Sequence, residues 1–90
     1  LADNDMNEVV SEVLNVLSLT IKEADATIIC NPLPVLPGTR RTQMAQLMQN
    51  LIGNALKYRG SAKPEIYIDA IENENYWILA VKDNILSYES

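Results

Sequence analysis

Between Met44 and Leu56 the apolar residues recur at three- and four-residue intervals: Met44, Leu47, Met48, Leu51, Ile52, Ala55 and Leu56. Such a repeat, kept up for more than three turns, makes one broad apolar face on a helix. In a chain of 90 residues that face can leave water only against a sheet or another helix, and there is room for one core. Thr39 or Thr42 can start the helix, and Gly60 is placed to stop it.

The partners for this face are also legible. Asp5 with Glu8 three residues later reads as a capping box, and Met6, Val9, Val10, Val13, Leu14, Leu17 and Ile21 follow at helical spacing to about Lys22. This predicts a single amphipathic helix. Thr27 to Cys30 is a short β-branched run ended by Asn31-Pro32, with Cys30 expected as a small buried residue of that strand. Pro32 to Gly38 holds three prolines and reads as a stiff loop. Glu65 to Ile71 and Tyr76 to Asp83 are β-rich and joined through Asn73-Glu74-Asn75, which predicts a hairpin. The order helix, strand, helix, strand, strand implies an α+β fold: a two-layer sandwich of two helices on one face of an antiparallel or mixed sheet, in a single domain over residues 1–90.

Charge and composition narrow the function. A net charge of −5 with no basic run argues against nucleic acid or an anionic membrane as the main partner. One cysteine allows no intrachain disulfide, and no apolar run approaches the roughly 20 residues of a membrane span. There is no signal-peptide pattern, so the chain reads as soluble and cytoplasmic, and a start at Leu1 is expected of a piece of a longer polypeptide. Without histidine, no Ser/His/Asp or Cys/His set can form.

The polar residues of the central helix carry the chemistry. At about 100° per residue, Asn50, Asn54, Lys57 and Tyr58 fall within one arc on the flank of the apolar stripe, at a border between core and water. Asn is a mediocre helix former. Amide oxygens are hard neutral ligands for Mg²⁺, an ammonium is a point charge for phosphate, and tyrosine offers a ring and a hydroxyl. A magnesium nucleotide could use all four, whereas an ordinary solvated flank with the Tyr58 ring on the core would use none. Spacing leaves both readings open.

The stretch QNLIGNALKYR, residues 49–59, resembles the N box of the GHKL ATPases, and specifically that of phytochrome-like sensor histidine kinases, with its pattern N-L-x-x-N-A-x-K-Y. DMNEVVSEVL resembles the opening helix of that group, and PEIYIDA with YWILAVKDN the hairpin leading to the G1 box, so the resemblance covers residues 3 to 84. It implies the two-layer sandwich of the GHKL (Bergerat) fold and a site for ATP and Mg²⁺. By position, Asn54 matches the Mg²⁺-coordinating asparagine, Asn50 the asparagine one turn earlier, Lys57 a phosphate-contacting lysine, and Tyr58 the tyrosine beside the nucleotide. Asp83 matches the aspartate that accepts from the adenine amino group. Arg59 is a solvated cation or a further phosphate contact, and Gly53 has no matched ligand role, which leaves close packing as its expected reason. The resemblance also implies a dimerisation segment carrying the phosphoacceptor histidine, and a response regulator, as partners.

The resemblance stops at Asp83-Asn84. The family continues D-N-G-I-G, but here Ile85-Leu86-Ser87-Tyr88-Glu89-Ser90 follows, and the only glycines are Gly38, Gly53 and Gly60. A domain cut at the G1 box is expected, binding Mg-ATP very weakly or not at all, with no catalytic residue of its own and no phosphotransfer when alone. The alternative is a non-catalytic α/β interaction module that kept the N-box helix as core and lost ATP binding. An uncovered C-terminal strand would also favour a homodimer through that strand.

Overall fold

The computed structural model describes residues 1–57 and 63–83. Its elements are β1 (Ala2–Asp5), α1 (Met6–Val16), α2 (Ser18–Ala24), β2 (Thr27–Cys30), β3 (Val35–Thr39), α3 (Arg41–Lys57), β4 (Glu65–Glu72) and β5 (Trp77–Asp83). The fold is α+β. Strand β4 lies between β2, to which it is parallel, and β5, to which it is antiparallel. Parallel neighbours need a long crossover, and α3 lies within the one that joins β2 to β4.

Alternation decides which face of the sheet is dry. Ile66 and Ile68 are fully buried, whereas Tyr67 between them is exposed. Ile28 of β2 and Leu79 and Val81 of β5 join them against Met6, Val9, Val10 and Val13 of α1 and Met48, Ile52, Ala55 and Leu56 of α3. One core therefore sits between the helices and one face of the sheet. The expected hairpin forms with Ile68 opposite Val81 and Ile71 opposite Ile78, and its turn is closed by the Asn73 N–H donating to the Tyr76 carbonyl at 2.8 Å.

Asp5 caps α1 as expected, its Oδ1 accepting the Asn7 N–H at 2.9 Å. Glu8, expected to complete the box, stands instead 3.7 Å from the Arg41 guanidinium, which also donates to Glu12 at 2.6 Å. The hydrogen bond to Glu12 raises the Arg41 pKa, so the guanidinium stays charged and ties the start of α3 to α1.

Three expectations are corrected. The N-terminal helix is two helices, broken at Leu17 (φ −91°, ψ 9°). Asn15, Ser18 and Thr20 flank the break, residue types that favour a helix interior less than alanine or leucine do. The second helix then ends with Asp25 in the left-handed region (φ 54°), where the Ala26 N–H donates to the Ile21 carbonyl and the Asp25 N–H to that of Lys22.

The proline-rich segment is not all loop, because Val35–Thr39 pairs antiparallel with Ala2–Asp5. One extra residue is accommodated in β3 between the pairs Asn4↔Leu36 and Ala2↔Thr39, and Pro37 and Gly38 lie in that bulge, where a missing N–H and a positive φ are both tolerated. Buried Asn4 fastens the pair, donating to the Thr39 carbonyl and Oγ1. Gly38 has φ +65°, and a Cβ there would meet none of the described residues within 4 Å. Gly38→Ala should therefore cost about 1 kcal/mol through backbone strain rather than collision, lowering Tm by roughly 4–8 °C; an unchanged thermal melt would contradict the left-handed backbone there.

The third correction concerns the width of the apolar stripe on α3. Leu47 and Leu51 are 45% and 37% exposed, so the buried arc is Met48, Ile52, Ala55 and Leu56 alone. Among the described residues no helix is long and apolar enough to cross a membrane.

Candidate functional site

With Leu47 and Leu51 removed from the stripe, the polar residues of α3 change place. At about 100° per residue, Asn50, Asn54 and Lys57 lie nearly opposite Met48, Ile52 and Ala55 rather than on their flank. All three are exposed. The spacing of four and then three residues stacks them on successive turns of one helix face.

They line a single groove of about 250 Å³ together with Leu17, Gln49 and Gly53. The break after α1 contributes to it, since Leu17 forms the wall facing α3. Among the described residues, Lys57 is the one charged residue of this lining. Among the described residues, Asn50, Asn54 and Lys57 make no side-chain hydrogen bond or ion pair that would occupy them. Two amide groups and an ammonium are therefore available to a ligand from one side.

Asn54 and Lys57 lie in the last described turn of α3, where Lys57 supplies a positive charge. No group of three or more His, Cys, Asp or Glu among the described residues could hold a metal on its own. A divalent cation fits this donor set only with most of its ligands supplied by water or by phosphate, as Mg²⁺ commonly has.

Tyr58 and Arg59, expected beside this set, lie outside the described residues, as does Asn84. Asp83 ends β5 in register with Ile66, and its side chain also lies outside what is described. Sequence reasoning assigned no role to Leu17 or Gln49. Gln49 precedes Gly53 by four residues, so the helical period already placed it on this side; Leu17 could not be found without the break in the first helix.

Two further expectations are corrected. Gly53 packs closely against none of the described residues, since a Cβ there would meet none of them within 4 Å. Cys30 is exposed: it ends β2, at the edge of the described sheet, and opens onto a shallow groove beside Asn7, Ser11 and Asn15 of α1. Partial burial, with the charge of Asp69 adding to it, pushes the Cys30 thiol above its ordinary value. The thiolate fraction near pH 8 is thereby reduced. Iodoacetamide should label Cys30 more slowly than free cysteine at pH 8, and Asp69→Asn should speed the labelling; an unchanged rate would remove Asp69 as a cause.

No protein-family model matches the chain. The chain is 40% identical over 81 residues to cyanobacterial phytochrome A of Nostoc sp. (strain PCC 7120), and 36% identical over 80 residues to the phytochrome-like protein Cph1 of Synechocystis sp. (strain PCC 6803). Each match takes in 89% of this chain but only 10% and 11% of those proteins, so the chain spans about a tenth of the length of the curated relatives it matches. In three dimensions it superposes on the catalytic domain of histidine kinase ThkA with a TM-score of 0.76, over 98% of this chain and 65% of that one, at 18% identity. The Acinetobacter baumannii histidine kinase AdeS gives 0.68 at 22% identity, over 88% of this chain and 39% of that one. The chain has the fold of histidine kinase catalytic domains and is similar in sequence to one segment of the cyanobacterial phytochromes.

Proposed function

We propose that this chain is the ATP-binding part of a phytochrome-like sensor histidine kinase, and that the outward face of α3 takes Mg-ATP. The observation that carries this reading is the convergence of Asn50, Asn54 and Lys57, all exposed and unengaged among the described residues, on one groove. Asn54 is assigned to the metal, Asn50 to the same site one turn earlier, and Lys57 to phosphate oxygens. Tyr58 and Asp83 are assigned to the nucleotide by family resemblance. Bound Mg²⁺ would neutralise charge on the phosphates, and the residues of α3 hold the nucleotide in place for transfer.

The chain has no histidine, so the acceptor of the γ-phosphoryl group is a histidine supplied by another segment, followed by a response regulator. A groove open to solvent on one side encloses little of a nucleotide, so modest affinity is expected. Calorimetric titration of the chain with ATP tests the reading. Binding that needs Mg²⁺ and disappears with excess EDTA is the expected result; no heat at millimolar Mg-ATP, or equal binding without the metal, would contradict it.

Self-association through β5 belongs to the same proposal. The outer edge of β5 has no partner strand among the described residues, and Trp77 and Ile78 are 38% and 42% exposed. Light scattering across a concentration series should show a dimer that Ile78→Lys disperses. A monomer at all concentrations would remove this part of the proposal.

A further inference from the structure

Strand β2 is hydrogen-bonded on one side only. In its parallel pairing with β4, Thr27 donates its N–H to the Pro64 carbonyl and Asn31 donates to that of Ile68, which fixes the alternation between them. Thr27, Ile29 and Asn31 turn their backbone groups toward β4, so the N–H and C=O of Ile28 and Cys30 point away from the sheet. Among the described residues no backbone group bonds them. The strand, Thr-Ile-Ile-Cys, carries no charge, proline or bulge that would discourage another strand from pairing there.

On the helix side this edge opens onto a groove of about 330 Å³ lined by Asn7, Val10, Ser11, Leu14, Asn15 and Cys30. Buried Val10 and half-buried Leu14 make it apolar at depth, and exposed Asn7, Ser11 and Asn15 give it an amide and hydroxyl rim. Ser11 and Asn15 make no side-chain hydrogen bond among the described residues. The described lining carries no charge, but the Asp69 carboxylate lies near: after burial, it is the second cause of the raised Cys30 pKa. Alternate residues of an added strand share one face, so those beside Ile28 and Cys30 turn to the groove and the one between turns outward beside Ile29.

We propose that the outer edge of β2 and this groove bind an extended peptide segment of a partner protein, which adds as a strand, sets two apolar side chains over Val10 and Leu14, and carries a lysine or arginine toward Asp69. Backbone hydrogen bonds supply the affinity and the groove selects the side chains. A basic residue complements both Asp69 and the net charge of −5. The outward face of α3 takes no part, so this proposal is independent of the nucleotide reading.

The probe is the peptide Val-Lys-Val-Thr-Val, acetylated and amidated at its ends, and the reporter is the rate at which iodoacetamide labels Cys30. Labelling is expected to slow severalfold at millimolar peptide. N-methylating the three valines, or the lysine and threonine instead, removes alternate backbone donors; one set should abolish protection and the other leave it. Ser11→Arg, which fills the groove from an exposed position, should weaken protection severalfold with an unchanged thermal melt. Asp69→Asn should weaken it for this peptide but not for one with glutamine in place of lysine. No protection at millimolar peptide, or equal effects of the two methylations, would overturn the proposal. Labelling that slows as the protein itself is concentrated, and not with peptide, would put a second copy on this edge and overturn it as well.

Discussion

Asn54→Ala is expected to weaken Mg-ATP binding by about tenfold or more while leaving the thermal melt close to that of the wild type. The affinity loss follows from removing a neutral oxygen from a charged partner, an interaction on the scale of 1.5–3 kcal/mol, where about 1.4 kcal/mol is a factor of ten. The unchanged melt follows from the position of Asn54. It is exposed, makes no side-chain hydrogen bond among the described residues, and sits in a helix where alanine is the better former. A variant that lost stability and binding together would point to a structural asparagine. One that lost neither would leave the face of α3 without a ligand role.

The largest effect on stability is expected at Ile68. Its side chain is fully buried at the centre of β4, opposite Cys30 on one side and Val81 on the other, and its carbonyl accepts the Asn31 N–H at 2.9 Å just beyond the end of β2. Ile68→Ala removes apolar volume that the helices and both neighbouring strands surround, at a cost of about 2–5 kcal/mol. A domain of this size has about 5–13 kcal/mol in all. The urea midpoint should fall by more than about 1 M, given a slope of about 1–2 kcal/mol per M for a small domain. Ile71→Ala, three residues along the same strand but 48% exposed, should move the midpoint little. Equal losses at the two sites would contradict the assignment of the dry face.

How much of this was open to a reader of the sequence depended on whether local or distant contacts decide each element. Helix α3, strand β2 and the β4–β5 hairpin carry their own signals: a helical period, a β-branched run and a polar four-residue connection. The pairing of β1 with β3 has none. Ala-Asp-Asn-Asp shows no alternation of apolar residues, and Val-Leu-Pro-Gly-Thr reads as a breaker. Both become strands through each other, across more than thirty residues, with Asn4 hydrogen-bonded to Thr39. The break at Leu17 likewise left the apolar period intact, because Leu17 and Ile21 still pack on the core after the axis changes.

Asn50, Asn54 and Lys57 were legible as one polar side of α3, but the orientation of that side was misread. Leu47 and Leu51 match the helical period, so counting them widened the apolar stripe and moved Asn50, Asn54 and Lys57 to its edge. What covers a leucine is a property of the neighbours, and the described residues leave these two 45% and 37% exposed. Gly53 was misread for a related reason. A glycine in a helix does not tell what lies beside it, and among the described residues nothing stands close.

The reading of α3 as the wall of a metal–nucleotide site is tested most directly with Mn²⁺ in place of Mg²⁺. A paramagnetic ion broadens nearby NMR signals steeply with distance, so it reports location as well as binding. On addition of Mn-ATP to the chain, the side-chain amide signals of Asn50 and Asn54 and the backbone amides from Gly53 to Lys57 should broaden first, and Asn54→Ala should abolish the effect. Broadening centred on acidic residues elsewhere on the surface, with the α3 signals unchanged, would contradict the account.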